Sequence, residues 1–90
     1  MLRISPIEPV NHSVTLRLEG RLVGPWVAEA RAAIERLLAE GRTLKLDLAE
    51  TAFIDEAGLA LLLNLQARGA VLVECAPFVE AQLNAARATR

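Results

Sequence analysis

The sequence predicts an α/β fold in the order β-β-α-β-α-β-α, a sheet covered by helices on one face and partly open on the other. Three observations carry this expectation. Val14, Leu16 and Leu18, and again Leu44, Leu46 and Leu48, alternate with polar residues, the period of a strand with one face in solvent. Residues 26–40 repeat apolar side chains at helical spacing and stop at Gly41, and a nearly all-apolar helix is expected from the cap at Asp55 to about Arg68, stopping at Gly69. The unbroken apolar run Val71-Leu72-Val73 suits a strand buried on both faces, so it is expected at the centre of the sheet.

Each element has its own local signals. The first strand, residues 2–7, is interrupted by Pro6, which has no ladder donor and so belongs on an edge. A turn over residues 9–13 contains Asn11, and Gly20 is expected to end the second strand. Gly24-Pro25 breaks the chain again, with Pro25 at the first position of a helix. In that helix Trp26, Val27, Ala30, Ile34, Leu37 and Leu38 form the apolar stripe, and Glu29, Arg31, Glu35 and Arg36 fall largely between them. Asp55 suits the N-cap of the second helix. There Leu59, Ala60, Leu61, Leu62, Leu63 and Leu65 cover almost every direction, which predicts the most buried helix. Pro77 opens the third helix, whose stripe is Phe78, Val79, Leu83 and Ala86, and residues 85–90 are expected to fray.

Ninety residues suit one domain, residues 1–90, with a small core. A net charge of −1 argues against a nucleic-acid partner, which calls for a basic face. No apolar run reaches the ~18 residues of a membrane span and no signal-peptide pattern opens the chain, so direct membrane insertion is not expected. The single Cys75, placed by its apolar neighbours in a strand, has no disulfide partner within the chain, which fits a reducing cytoplasm. His12 reads as a solvated turn residue and Cys75 as a structural thiol; together they are too few for a zinc site. Gly20 and Gly24 are isolated and form no phosphate-cradling loop. The sequence therefore offers no catalytic residue, no metal ligand set and no cofactor site, and a non-enzymatic protein is expected.

The most informative stretch is Ile54-Asp55-Glu56-Ala57-Gly58-Leu59, where an apolar strand meets the start of the second helix. An acidic pair there sits where a helix offers free backbone N–H groups. Glu56 has two readings, stabilisation of the helix dipole or contact in a partner surface. Gly58 either permits close packing of the helix start or lets a partner backbone approach. Trp26 is either core or an exposed interface anchor, and Leu61 to Leu65 are read as core.

The stretch Phe53-Ile54-Asp55-Glu56-Ala57-Gly58-Leu59-Ala60-Leu61-Leu62 resembles the signature of the STAS domain family. That family includes bacterial anti-sigma factor antagonists and the cytoplasmic domains of sulfate transporters. The resemblance extends in order over residues 14–20, 44–48 and 71–77. It implies a single-domain STAS-like fold, a mixed four-stranded sheet with three helices packed mainly on one face. In anti-sigma antagonists the residue after this aspartate is usually a serine or threonine that a partner kinase phosphorylates, which releases the anti-sigma partner. Here Glu56 takes that phosphoacceptor-equivalent position without a hydroxyl. Its charge is fixed at −1, against roughly −1.5 to −2 for a phosphate. A second departure follows Gly20, where many members carry an acid and this chain reads Arg21-Leu22-Val23.

The short form also resembles the STAS subunit of bacterial ABC transporters that move phospholipids. Trp26 and the run Gly58-Leu59-Ala60-Leu61-Leu62-Leu63 point the same way. In that group the domain docks on the ATPase through the surface around this loop. The implied partner is a protein, either an anti-sigma factor or kinase-like protein or an ABC transporter ATPase. The implied partner-binding residues are Trp26, Asp55, Glu56, Ala57 and Gly58, within a surface of residues 23–26 and 50–58 and the adjacent face of the second helix. Some relatives bind small ligands or nucleotides, for which Thr51, Asp55 and Glu56 are the polar candidates here.

Overall fold

Eight elements follow one another in the computed structural model: β1 (Leu2–Val10), β2 (Ser13–Leu22), α1 (Pro25–Ala39), β3 (Thr43–Asp47), β4 (Thr51–Ile54), α2 (Glu56–Ala67), β5 (Val71–Val73) and α3 (Pro77–Ala88). The structure describes residues 2–10 and 12–88, with side chains for 2–7 and 12–86. β1 runs antiparallel to β2, whereas β3 lies parallel to β2 and β5 parallel to β3, giving the order β1-β2-β3-β5. The sheet is mixed, as expected, and β1 with its Pro6 lies on an edge.

The sheet has five strands rather than four. β2 continues through Gly20 to Leu22 instead of ending there, and β4 pairs in parallel with this extension. β3 and β4 thus take successive stretches of the same neighbour, residues 13–17 and then 20–22. The break between them is a tight turn: Asp47 Oδ1 accepts the Ala49 N–H at 3.0 Å, and the Leu48 carbonyl accepts the Thr51 N–H at 3.2 Å. A register shift between Gly20 and Arg21 leaves Ala52 and Phe53 both exposed between buried Thr51 and Ile54. That pattern has no period of two, so the strand leaves no alternation to read.

β5 is an edge strand, which corrects the expected central position. It pairs only with β3, and Val71 stays 47% exposed. Leu72 packs against the core while its two valines face away, so an unbroken apolar run here serves two faces without a strand on each side. Cys75 is also relocated, from a strand to the loop that follows, because Glu74 adopts φ 54° and turns the chain out of the sheet. Helix α3 holds through Ala88 rather than fraying from residue 85. β1 reaches Val10, so the turn to β2 is tighter than expected, with Val10 paired to Ser13. Asn11 and residues 89–90, which belong to the expected turn and fray, lie outside the described residues.

The core lies between one sheet face and the three helices. Val14, Leu16 and Leu18 of β2 and Leu44 and Leu46 of β3 meet Ile34 of α1, Leu61, Leu62 and Leu65 of α2, and Val79 and Leu83 of α3. Each fully buried leucine contributes roughly 1.5–3 kcal/mol. α2 supplies four buried residues against three from α1, in line with its all-round apolar sequence. No helix among the described residues is long and apolar enough to cross a membrane.

Candidate functional site

Two helices begin at one end of the sheet. β2 and β4 are parallel neighbours with Leu22 opposite Ile54, so the chain leaves both strands in the same direction. It enters α1 through Val23-Gly24 and α2 through Asp55. Carboxyl ends of parallel strands, where helix N-termini converge, are where α/β sheets commonly place their functional groups.

Asp55 ties the two starts together. Its Oδ1 accepts the Gly58 N–H at 2.8 Å, which is the N-cap bond of α2. Its Oδ2 accepts the Gly24 N–H at 2.9 Å, across 31 positions of sequence, and its own N–H donates to the Leu22 carbonyl at 3.3 Å. Gly24 is itself the N-cap of α1 and has no side chain to cap with, so the carboxylate that caps α2 also anchors the residue from which α1 starts. Gly24 presents its N–H from φ 52° and ψ −129°, a backbone state that side-chain-bearing residues rarely adopt. The Gly24 N–H, and next the Gly58 N–H, hold the Asp55 carboxyl below the ordinary aspartate pKa.

Gly58 is buried beneath β2. A Cβ there would stand 2.4 Å from the Leu22 carbonyl oxygen. The glycine therefore serves close packing within the domain, the first of its two readings. Glu56, the first residue of α2, is exposed, and its carboxylate makes no hydrogen bond or ion pair among the described residues. Ala57 beside it is exposed too. Trp26 is half-buried in the first turn of α1 and is not among the side chains that pack the core.

The structure thus gathers the N-terminal turns that carry Trp26, Asp55, Glu56 and Ala57 at one end, with Gly58 underneath. Of Leu61 to Leu65, read as core from the sequence, Leu61, Leu62 and Leu65 are buried there, Leu63 is only partly buried against them and Asn64 is exposed. Thr51 offers nothing outward: it is buried, and its hydroxyl donates to the Leu18 carbonyl at 2.9 Å. Sequence reasoning did not single out Gly24 as the second anchor of Asp55, nor the exposed Phe53 over which the Arg21 guanidinium lies at 5.6 Å from the ring centroid. Both depend on the pairing of β4 with β2, which no local pattern announces.

A cleft of about 290 Å³ opens elsewhere, lined by Leu72, Glu74, Cys75, Glu80 and Asn84 among others. No group of three His, Cys, Asp or Glu side chains able to hold a metal occurs among the described residues. His12 is exposed in the turn before β2, where its carbonyl accepts the Thr43 N–H at 2.6 Å.

A family model described as "Mlab, STAS domain" matches residues 8–89. No curated protein sequence matches the chain. Among solved structures, the anti-sigma factor antagonist SpoIIAA in its unphosphorylated form is similar, with a TM-score of 0.74 over 91% of this chain and 82% of that one, at 21% identity. That likeness carries the α/β fold alone. The family model spans nearly all of the chain, and the chain belongs to the STAS domain family.

Proposed function

We propose that this is a non-enzymatic protein-interaction domain, one unit over residues 1–90, that docks through the end where α1 and α2 begin. The observation behind it is a division of labour between two adjacent carboxylates. Asp55 is fully engaged by Gly24 and Gly58, which fixes both helix starts, whereas Glu56 stands exposed on the loop so fixed. Trp26, Glu56 and Ala57 form the contact surface, and Asp55 and Gly58 shape it. Glu56 gives this end a permanent single charge where relatives carry a switchable hydroxyl. Phosphorylation-dependent release at this position is then impossible, and the domain works in one state. The setting is cytoplasmic, with no cofactor, no nucleic acid and no insertion in a membrane.

Substituting Glu56→Lys reverses the charge without removing a bond. The expected outcome is at least a tenfold loss of partner affinity with stability changed by less than about 1 kcal/mol. Loss of stability without a selective binding defect would return Glu56 to a purely structural role. Phosphate placed on residues 50–58 by a cognate kinase and ATP would overturn the unswitchable state.

The partner has two readings. The fold shared with SpoIIAA favours an anti-sigma factor or kinase-like protein. The family model described as "Mlab, STAS domain", with Trp26 and the Gly58 to Leu63 run, favours an accessory role on the ATPase of a phospholipid-transport ABC system. Affinity capture from the native cell separates them by the partner recovered, and the Glu56→Lys variant should lose it in either case. A small-ligand or nucleotide role finds little support, because the Thr51 hydroxyl and both Asp55 carboxylate oxygens are already committed. Calorimetric titration with nucleotides or fatty acids should give no heat.

A further inference from the structure

The helices cover one face of the sheet and leave the other bare. Strand register lines the bare face in two rows, Ile7, Thr15, Lys45 and Val71 in one and Ser5, Arg17, Asp47 and Val73 in the next. Beyond them Arg3 stands opposite Glu19, and Arg21 lies over Phe53.

Three features distinguish this face. It carries Val71 and Phe53, both 47% exposed, two of the three large exposed hydrophobics among the described residues. It is cationic in a chain whose net charge is −1, since Arg3, Arg17, Arg21 and Lys45 outnumber Glu19 and Asp47. Asp47 is moreover buried and already accepts the Ala49 N–H. Finally, Arg17 is poorly satisfied. Its Nη2 meets Asp47 Oδ2 only at 3.4 Å, against 2.6 and 2.9 Å for the two bonds of the Arg68–Glu35 pair, and its buried Nε has no acceptor. Lys45 is exposed and makes no ion pair among the described residues.

We propose that this face is a second docking surface, for an acidic and partly apolar segment of a protein partner. Carboxylates of that segment meet Lys45 and Arg17, and its apolar side chains cover Val71 and Val73. Charge decides the class of occupant. A second copy packed face to face would set like charges against each other. An anionic lipid surface calls for an uninterrupted basic cluster, and here Glu19 and Asp47 interrupt it, in positions that suit fixed donors on a protein.

The test is a titration of the isotope-labelled full chain, followed by amide NMR, with three probes: a synthetic peptide alternating Glu and Leu, the same peptide with Gln for Glu, and phosphatidylglycerol vesicles. The Glu peptide should shift the amides of Thr15, Lys45, Val71 and Val73. Its affinity should fall roughly tenfold in Lys45→Glu and also fall as salt is raised, while Glu56→Lys leaves it unchanged. Val71→Ser provides an independent check at an exposed position should Lys45→Glu alter the fold. Absence of those shifts, equal binding of the Gln peptide, or loss of binding in Glu56→Lys would overturn the proposal. Vesicle binding that depends on Lys45 without peptide binding would overturn it in favour of lipid.

Discussion

Asp55 shows how much one side chain accomplishes when its two oxygens face different elements. An N-cap aspartate is readable from sequence, because the cap and the N–H it accepts lie three residues apart. Its second bond, to Gly24, is not readable, and it converts a helix cap into a clamp between two loops. Asparagine keeps the shape but offers one acceptor oxygen and one amino group, so Asp55→Asn sets a donor against one of the two N–H groups. Because the folded pKa of Asp55 is depressed, its contribution is fully present above the unfolded value of about 3.9 and is lost as pH falls through the lower folded value. Unfolding followed between about pH 6 and pH 2 should therefore show a steeper acid loss in the wild type than in Asp55→Asn, which starts lower and loses less. Gly58 is the packing counterpart. Alanine there drives a Cβ into a backbone oxygen, which cannot rotate away as a side chain can. Gly58→Ala should cost about 1–3 kcal/mol in chemical denaturation.

Elements inherit what single residues cannot show. β2, α1 and α3 were legible because each has a period of its own, and α2 because an apolar run follows the Asp55 cap; Pro25 and Pro77 mark helix starts, and Gly41 and Gly69 lie just past helix ends. β4 was not legible, because the register shift beside Gly20 spoils its alternation and only pairing with β2 makes it a strand. Thr51 is the residue that registers this pairing. It is buried, and its hydroxyl donates to the Leu18 carbonyl of β2 at 2.9 Å. Thr51→Val keeps the volume and removes the donor, so denaturant unfolding should report a loss of about 0.5–1.5 kcal/mol. The bidentate Glu35–Arg68 pair joins α1 to the end of α2 in a different way. Both partners are exposed, so screening leaves it a minor and salt-dependent contribution.

The molecule as a whole has one packed face, one bare face and one end where helix starts converge. Much of the core was readable from alternation, down to Leu16, Leu18, Leu44 and Leu46, but Phe78, read into the stripe of α3, is 38% exposed, and Leu22, Ile54 and Ala70 join the core without a pattern that announced them. The bare face was foreseen as partly open, but its charge was not, since Arg17, Lys45 and Val73 come from three strands. Trp26 could not be assigned from sequence because core and interface tryptophans occupy the same helical positions; the fold leaves it half-buried at the end where α1 and α2 begin. By itself, the sequence determined every element but β4, most of the core stripes, the Asp55 cap and the STAS resemblance, because each rests on residues a few positions apart. Only the tertiary structure decided that β5 is an edge, that β4 exists, that Asp55 also holds Gly24, and that Gly58 is sealed under Leu22. Those outcomes depend on which strands become neighbours, and strand neighbours here are joined by contacts across some thirty residues, where local patterning carries no information.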